Sequence, residues 1–231
     1  MQEGGKVTIA DILEDEAKKT VKELREQYGK GKVHFAFCDV TMPRDFVTTW
    51  DSTEEFFKGK VYGLVNNAGI NGSQGWKLCM DINMVTRNVK ITDNYDLFIN
   101  TQMGVMHGTN LANERLTHKK GGKGGIVINT ASVAGLMPCK DDSYVPYFVS
   151  KHGVVALTRA FGTPEVFARD GIRHVCICPS FTETNMIADP ALFEWAVKRY
   201  GRHNILNVDK VVDGFITLVK VHVLFLASDN A

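Results

Sequence analysis

The sequence predicts an α/β fold, a doubly wound parallel sheet flanked by helices. Three observations predict it. Strand-like and helix-like patterns alternate along the chain. The polar residues with chemical potential follow apolar, strand-like runs, and a parallel sheet places its binding edge at such strand ends. The 231 residues, 44% of them hydrophobic, fit a single domain over 1–231 with a sizeable core.

Each element has its own signal. Val7–Ala10 is a short apolar run that ends at Asp11. Glu14–Tyr28 reads as a helix because Ala17, Val21 and Leu24 recur on one face. Val33–Phe37 alternates as a strand and runs into Cys38, Asp39 and Val40. Asp45–Lys58 is helical with a less regular stripe, and Val61–Val65 is a strand that runs into Asn66-Asn67-Ala68-Gly69. A glycine-rich turn at 121–125 precedes the strand Ile126–Asn129. Tyr147–Phe161 is a helix, and Arg173–Cys178 is a strand stopped by Pro179. Val221–Leu226 alternates enough to be a last strand. Right-handed crossovers align the strand ends along one edge.

Composition excludes several classes. A formal net charge of +1 gives no broad electrostatic footprint for nucleic acid. The most apolar stretch, Val211 to Ala227, is interrupted by Asp213, Lys220 and His222, so no membrane span is expected. Met-Gln-Glu-Gly-Gly at the start carries no apolar signal segment. Cys38, Cys79, Cys139, Cys176 and Cys178 match no zinc or redox spacing, nor do the histidines match metal-ligand spacing, so no metal is expected. Cys176 and Cys178 alternate in a strand and face one side. Buried reduced thiols and a cytoplasmic setting follow.

The most informative residues are Tyr147 and Lys151 in Y-F-V-S-K. Four residues apart on a helix, their side chains share a face. Ser132 lies upstream, after the strand-like I-V-I-N-T-A-S. A phenol, an ammonium and a hydroxyl form a proton-transfer set, in which the lysine's charge is expected to lower the tyrosine pKa. The bland reading is a half-buried aromatic beside a surface lysine. His152 falls one helical step further round and is expected to pack or face solvent. Tyr144 has Phe148 rather than lysine in register. Small residues in Asn66-Asn67-Ala68-Gly69 let backbone approach a ligand, or simply make a turn. Asp11 equally fits an N-cap for the helix after it, and Asp39 an ordinary strand-end turn.

These motifs occur together. With C-D-V (38–40), L-V-N-N-A-G-I-N (64–71), M-D-I-N (80–83), the segment from Gly121 to Pro138, Y-F-V-S-K-H-G-V-V-A-L-T-R (147–159) and C-P-S-F-T-E-T (178–184), the chain resembles the short-chain dehydrogenase/reductase family over most of residues 4–220. Within it the likeness is to members that oxidise prostaglandins. The resemblance implies a Rossmann-like sheet and NAD as cofactor. It implies catalytic roles for Ser132, Tyr147, Lys151 and Asn83, and substrate contacts from Ser132 and Tyr144. Cofactor contacts would come from Asp11, Ile12, Cys38, Asp39, Val40, Asn67, Tyr147, Lys151, Thr182, Glu183 and Thr184. Asp11 would hold both adenosine ribose hydroxyls and repel a 2′-phosphate. Met186, Ile187, Leu192, Phe193 and Trp195 would line a lipid pocket, or be core or lid. Helices near 103–118 and 147–161 would pair two copies into a homodimer.

The resemblance breaks in places. The family opens with a strand and T-G-x-x-x-G-x-G, which this sequence does not contain, so the fold is expected to lack the family's first strand. Residues 85–102 look inserted, and Asn100 competes with Asn83 for one role. Ser180 replaces a family glycine; were φ positive there, it would cost roughly 1 kcal/mol. The implied function is oxidation of a secondary alcohol, a prostaglandin or related lipid alcohol, to a ketone. The alternative is a catalytically inactive binding or interaction module.

Overall fold

The computed structural model describes residues 4–70, 75–83, 104–139, 142–187 and 190–228. Asn100 and the apparent insertion at 85–102 lie outside the described residues. The chain divides into two compact units, Met1–Tyr62 and Gly63–Ala231. Among the described residues every strand ladder is parallel, and the strands form two sheets.

The first unit is a β-α-β-α arrangement of β1 (Val7–Asp11), α1 (Glu14–Tyr28), β2 (Val33–Phe37) and α2 (Pro43–Phe57). β1 and β2 pair in register from Val7–Val33 to Asp11–Phe37. Helix α1 buries Ala17 and Val21 and carries Glu14, Asp15 and Glu16 in its first turn, where carboxylates offset the helix dipole. Helix α2 opens with Pro43, whose missing N–H costs nothing there, and buries Phe46 and Trp50. It ends in a left-handed residue, Lys58.

The second unit holds β3 (Gly63–Asn66), α3 (Trp76–Asn83), α4 (Gly104–Leu116), β4 (Gly125–Thr130), α5 (Val145–Phe161), α6 (Pro164–Asp170), β5 (Ile172–Ile177), α7 (Pro190–Tyr200) and α8 (Val208–Ser228). Its sheet order is β3-β4-β5. The middle strand is buried on both faces, with Ile126, Val127 and Ile128 in the core, as a covered parallel strand must be. Helices α4, α5 and α8 pack on this sheet.

A polar ladder crosses this core. The Asn66 amide of β3 donates to Asn129 Oδ1 of β4 at 2.8 Å, and the Asn129 amide donates to the Thr158 hydroxyl of α5 at 2.9 Å. That hydroxyl donates to the Val154 carbonyl at 2.8 Å. Each side chain of this ladder thus has a partner, which keeps it from being a liability.

One strand expectation is overturned. Val221–Leu226 belongs to α8, which runs without a break from Val208 to Ser228. After Gly214 no glycine or proline interrupts it, and alternation over a few residues does not override an established helix. No helix among the described residues is long and apolar enough to cross a membrane.

Candidate active site

The site is assembled where β3, β4 and β5 end and α3 and α5 pass. Strand β4 stops at Thr130, and Ser132 adopts an extended backbone (φ −170°, ψ 161°). Its hydroxyl accepts the Ala134 N–H at 3.2 Å, closing a 3₁₀ turn over Val133–Gly135. Gly135 is required there: a Cβ would stand 2.5 Å from the Lys151 carbonyl oxygen, so only glycine lets the turn lie on α5. The serine is thereby seated against the helix that carries Tyr147 and Lys151.

Tyr147 and Ser132 are joined by a side-chain hydrogen bond. Lys151, 5% exposed, donates from Nζ to the Thr130 carbonyl at 2.9 Å. Its ammonium stands over the Tyr147 ring, 5.7 Å from the centroid. The expectation that lysine lowers the tyrosine pKa is therefore not met. The charge faces the ring rather than the oxygen, and burial raises the phenol above its usual range despite the Ser132 hydrogen bond. Burial also pushes Lys151 down to about 8, against the opposing influence of Cys79 and Cys178.

Asn83 is 1% exposed and clamps the turn after β3. Its Oδ1 accepts the Ile70 N–H and its Nδ2 donates to the Ile70 carbonyl, both at 2.8 Å. The same amide donates to the Ser150 hydroxyl at 3.3 Å, and that hydroxyl donates to the Tyr147 carbonyl at 2.7 Å. Asn83 therefore reaches the helix that carries Tyr147 and Lys151. Gly69 lies between: a Cβ there would be 3.2 Å from Asn83 Oδ1 and 3.5 Å from Lys151 Nζ. Asn67 is exposed and accepts the Thr130 hydroxyl at 3.0 Å.

The segment after β5 is pinned. Phe181 and Glu183 exchange backbone bonds with Leu206, at 2.7 and 2.9 Å. The Glu183 N–H is thus already engaged, and the Thr182 and Thr184 hydroxyls donate to the Ser180 and Thr182 carbonyls at 3.0 and 3.4 Å. Glu183 pairs with Arg202, whose guanidinium lies over the Phe193 ring at 5.2 Å. Ile187, Ala196 and Ile205 form a small core with Phe181, Phe193 and Val197. Tyr144 stacks on Trp195 with ring centroids 6.5 Å apart, and Phe181 meets Trp195 edge-on at 6.0 Å. Of the apolar residues after Thr184, Ile187 is buried while Met186 and Trp195 are exposed. The Leu192 side chain lies outside the described residues. Ser180 is not strained, since Lys58 is the one non-glycine with positive φ among the described residues. His152 is exposed and turns its ring to the Phe148 carbonyl at 2.9 Å, away from the tyrosine.

In the first unit, Asp11 Oδ1 accepts the Leu13 N–H at 2.9 Å. Asp11 closes its own turn; Leu13 occupies the cap position of α1, without a side-chain cap bond. Asp39 likewise closes a turn, accepting the Thr41 N–H at 2.9 Å and its hydroxyl at 2.8 Å. Ile12 is exposed, Val40 half-buried and the Cys38 side chain buried.

Sequence reasoning missed Asn129, Thr158, Ser150 and Gly135. The available signal was an asparagine inside the otherwise apolar I-V-I-N, which demands a buried partner.

The chain matches the family model described as short chain dehydrogenase over residues 1–195. It is 32% identical over 184 residues to the rat (Rattus norvegicus) protein named 15-hydroxyprostaglandin dehydrogenase [NAD(+)], covering 80% of this chain and 61% of that one. Against the Homo sapiens protein of the same name the identity is 30% over 230 residues, covering 94% and 77%. The chain thus spans about three fifths of the rat relative it matches. A gluconate 5-dehydrogenase from Burkholderia cenocepacia, solved with NADP and tartrate, superposes with a TM-score of 0.71 at 22% identity, covering 94% of this chain and 79% of that one. The solved structure shares the fold, and the chain belongs to the short-chain dehydrogenase family.

Proposed function

We propose that this chain is an NAD-dependent dehydrogenase that oxidises a secondary alcohol to a ketone, with a prostaglandin or related lipid alcohol as substrate. The observation that carries the reading is the Ser132–Tyr147 hydrogen bond beside a buried Lys151.

The residues fit a dinucleotide. Lys151 has three N–H donors and spends one on Thr130, leaving donors for ribose hydroxyls. Gly69 presents bare backbone beside it, and Asn67 and the hydroxyls of Thr182 and Thr184 lie near the same strand ends. In the first unit Asp11 is an exposed strand-end carboxylate, which suits unphosphorylated ribose, with Ile12, Asp39 and Val40 beside it in sequence and strand register. When bound, NAD⁺ supplies the hydride acceptor.

The chain's own residues handle the oxygen and its proton. Ser132 holds the substrate hydroxyl. Tyr147, as phenolate, takes the hydroxyl proton while the carbon gives up its hydride. Lys151, whose ammonium stands over the tyrosine ring, passes protons towards solvent. Asn83 holds the Ile70 turn and Ser150 in place and is the positioning asparagine for that relay. Tyr144, Trp195 and Phe181 offer an aromatic wall for an apolar substrate, beside a shallow concavity lined by Glu183, Thr184, Asn185, Ile187 and Phe193. The exposed Val145, Val149 and Ala156 on α5 support pairing of two copies, which sedimentation would report as a mass twice 25.7 kDa.

The test is NADH formation with hydroxylated lipids. Tyr147→Phe should abolish turnover with the melting profile kept; unchanged turnover would sink the mechanism. The second reading is a binding module without turnover. A thermal melt separates the two, because a ligand of the native state at about 100 times its Kd adds roughly 2.7 kcal/mol of stability. A melt that ignores millimolar NAD⁺ would favour the module.

A further inference from the structure

Cys176 and Cys178 form a feature that the proton-transfer set does not use. Their sulfur atoms are 3.9 Å apart, on the same side of the chain at the end of β5. All five cysteines are free, and these two are half-buried rather than sealed in the core. Both pack against the cluster of Val105, Ala131, Val154 and Val155, between the Ser132 loop and α5.

The pair is tied to the active site by backbone. The Ala131 N–H donates to the Ile177 carbonyl at 2.9 Å and the Val133 N–H to the Pro179 carbonyl at 3.0 Å. Between them the Ser132 N–H lies close enough to the Cys178 sulfur to act against the rise in its pKa. The Ser132 hydroxyl also lies 3.5 Å from the Pro179 carbonyl. Residues 131–133 are therefore held in register on residues 177–179, and Cys178 is close enough to Lys151 to interact with its charge.

We propose that Cys176 and Cys178 are a peroxide-sensitive dithiol whose oxidation to an intrachain disulfide displaces Ser132 and reversibly switches off the site. As regulation of that site, this rests on the dehydrogenase reading. The oxidant is a hydroperoxide. The Cys176 sulfur attacks a peroxide oxygen, the O–O bond breaks, and hydrogen peroxide leaves as one water and a sulfenic acid on Cys176. The Cys178 sulfur then attacks the Cys176 sulfur. The S–S bond forms, the S–O bond breaks, and the departing hydroxide takes the Cys178 proton as a second water. Two thiols and one peroxide give one disulfide and two waters.

Geometry supplies the switch. Residues two apart in a strand are separated by about 6.7 Å at Cα. Disulfides span roughly 4.4–6.8 Å, so this one closes at the upper limit and only by shortening the strand end. The sulfurs must approach from 3.9 Å to bonding distance. That contraction pulls on Ile177–Pro179, hence on the backbone bonds that seat Ser132. Burial, with the Cys176 sulfur beside it adding to the effect, raises the Cys178 thiol. The same burial makes the reaction slow, suited to sustained rather than trace peroxide.

The experiment is to expose the full chain to hydrogen peroxide, with and without later thiol reductant, and to read three quantities. Expected is a mass loss of about 2 Da, one disulfide's worth, in a single peptide that contains both cysteines. Hydrogen exchange should rise in the peptide that carries Ala131 and Val133. NAD-linked turnover should fall roughly 100-fold, the scale of a 1 Å misplacement, and return on reduction. Cys176→Ala should keep basal turnover and lose all three responses. The proposal is overturned if the adduct is sulfinic or sulfonic acid, or if exchange at 131–133 is unchanged when the disulfide forms. It is equally overturned if Cys176→Ala loses turnover to peroxide as the parent does. Should the unoxidised chain show no turnover, the dehydrogenase reading fails on its own, while mass and exchange still decide whether the dithiol forms and moves Ser132.

Discussion

At the scale of single residues, burial sets the chemistry. Tyr147 is raised by burial, so the phenolate that alcohol oxidation needs becomes more abundant as pH rises. Turnover is expected to climb from neutral pH into the alkaline range, and a flat rate–pH profile would count against Tyr147 as base. His174 shows the same force without a reaction. It is 5% exposed on β5, with no hydrogen-bond partner for either ring nitrogen among the described residues, and burial pushes it down to about 4 despite the pull of Asp170. Unfolded, the imidazole binds its proton near 6.5. Below that pH the unfolded chain takes up a proton that the folded chain does not, so stability is lost as pH falls from 6.5 towards 4. The full loss is roughly 3 kcal/mol. His174→Leu should flatten this slope, seen as a smaller shift in the urea midpoint between about pH 7.5 and about pH 5. Lys151 acts on the other side: its folded value near 8 lies below its unfolded 10.5, so stability is regained as pH rises across that interval.

At the scale of elements, the buried ladder ties β3 to β4 and β4 to α5 through side chains. Asn129→Ala would leave the Asn66 amide and the Thr158 hydroxyl each short of a partner, at a cost of about 2–4 kcal/mol. A urea denaturation curve measures it, and an unchanged midpoint would mean that water replaces the amide. Gly135 is the contact between the Ser132 turn and α5. Gly135→Ala should lower turnover more than it lowers the melting temperature, because the clash falls on the turn that holds the serine. The elements were readable from sequence to different degrees. Glu14–Tyr28 and Val33–Phe37 were legible to the residue because their periodicity is uninterrupted. Tyr147, Lys151 and Ser132 were legible as a set because their spacing is local. Asn129 and Gly135 were not, since each depends on what packs across from it. Val221–Leu226 was misread because period-2 alternation in a short run is compatible with a helix already under way.

At the scale of the whole molecule, the five strands among the described residues lie in two sheets, and each sheet ends in strands paired on one side within it. In the second unit β3 pairs on one side with β4, and Val65 on it is 48% exposed. Unpaired edges invite association with other chains. Light scattering should therefore show size rising with concentration, and Val65→Lys should suppress the rise; a concentration-independent size in the parent would remove this concern. The sheet class was legible from the alternation of patterns, but its division was not, because which strands pair is a long-range property that no local window contains.

The placement of tryptophan has an optical consequence. Trp50 is enclosed in the first unit, 5% exposed and donating to Glu54, while Trp195 in the second is 43% exposed against Tyr144 and Phe181. A shielded indole emits at shorter wavelength and resists soluble quenchers; an open one does neither. With Trp76 replaced by phenylalanine, the two units carry distinguishable fluorophores. The loss of order in one can then be watched separately from the other, in the same cuvette and without a label.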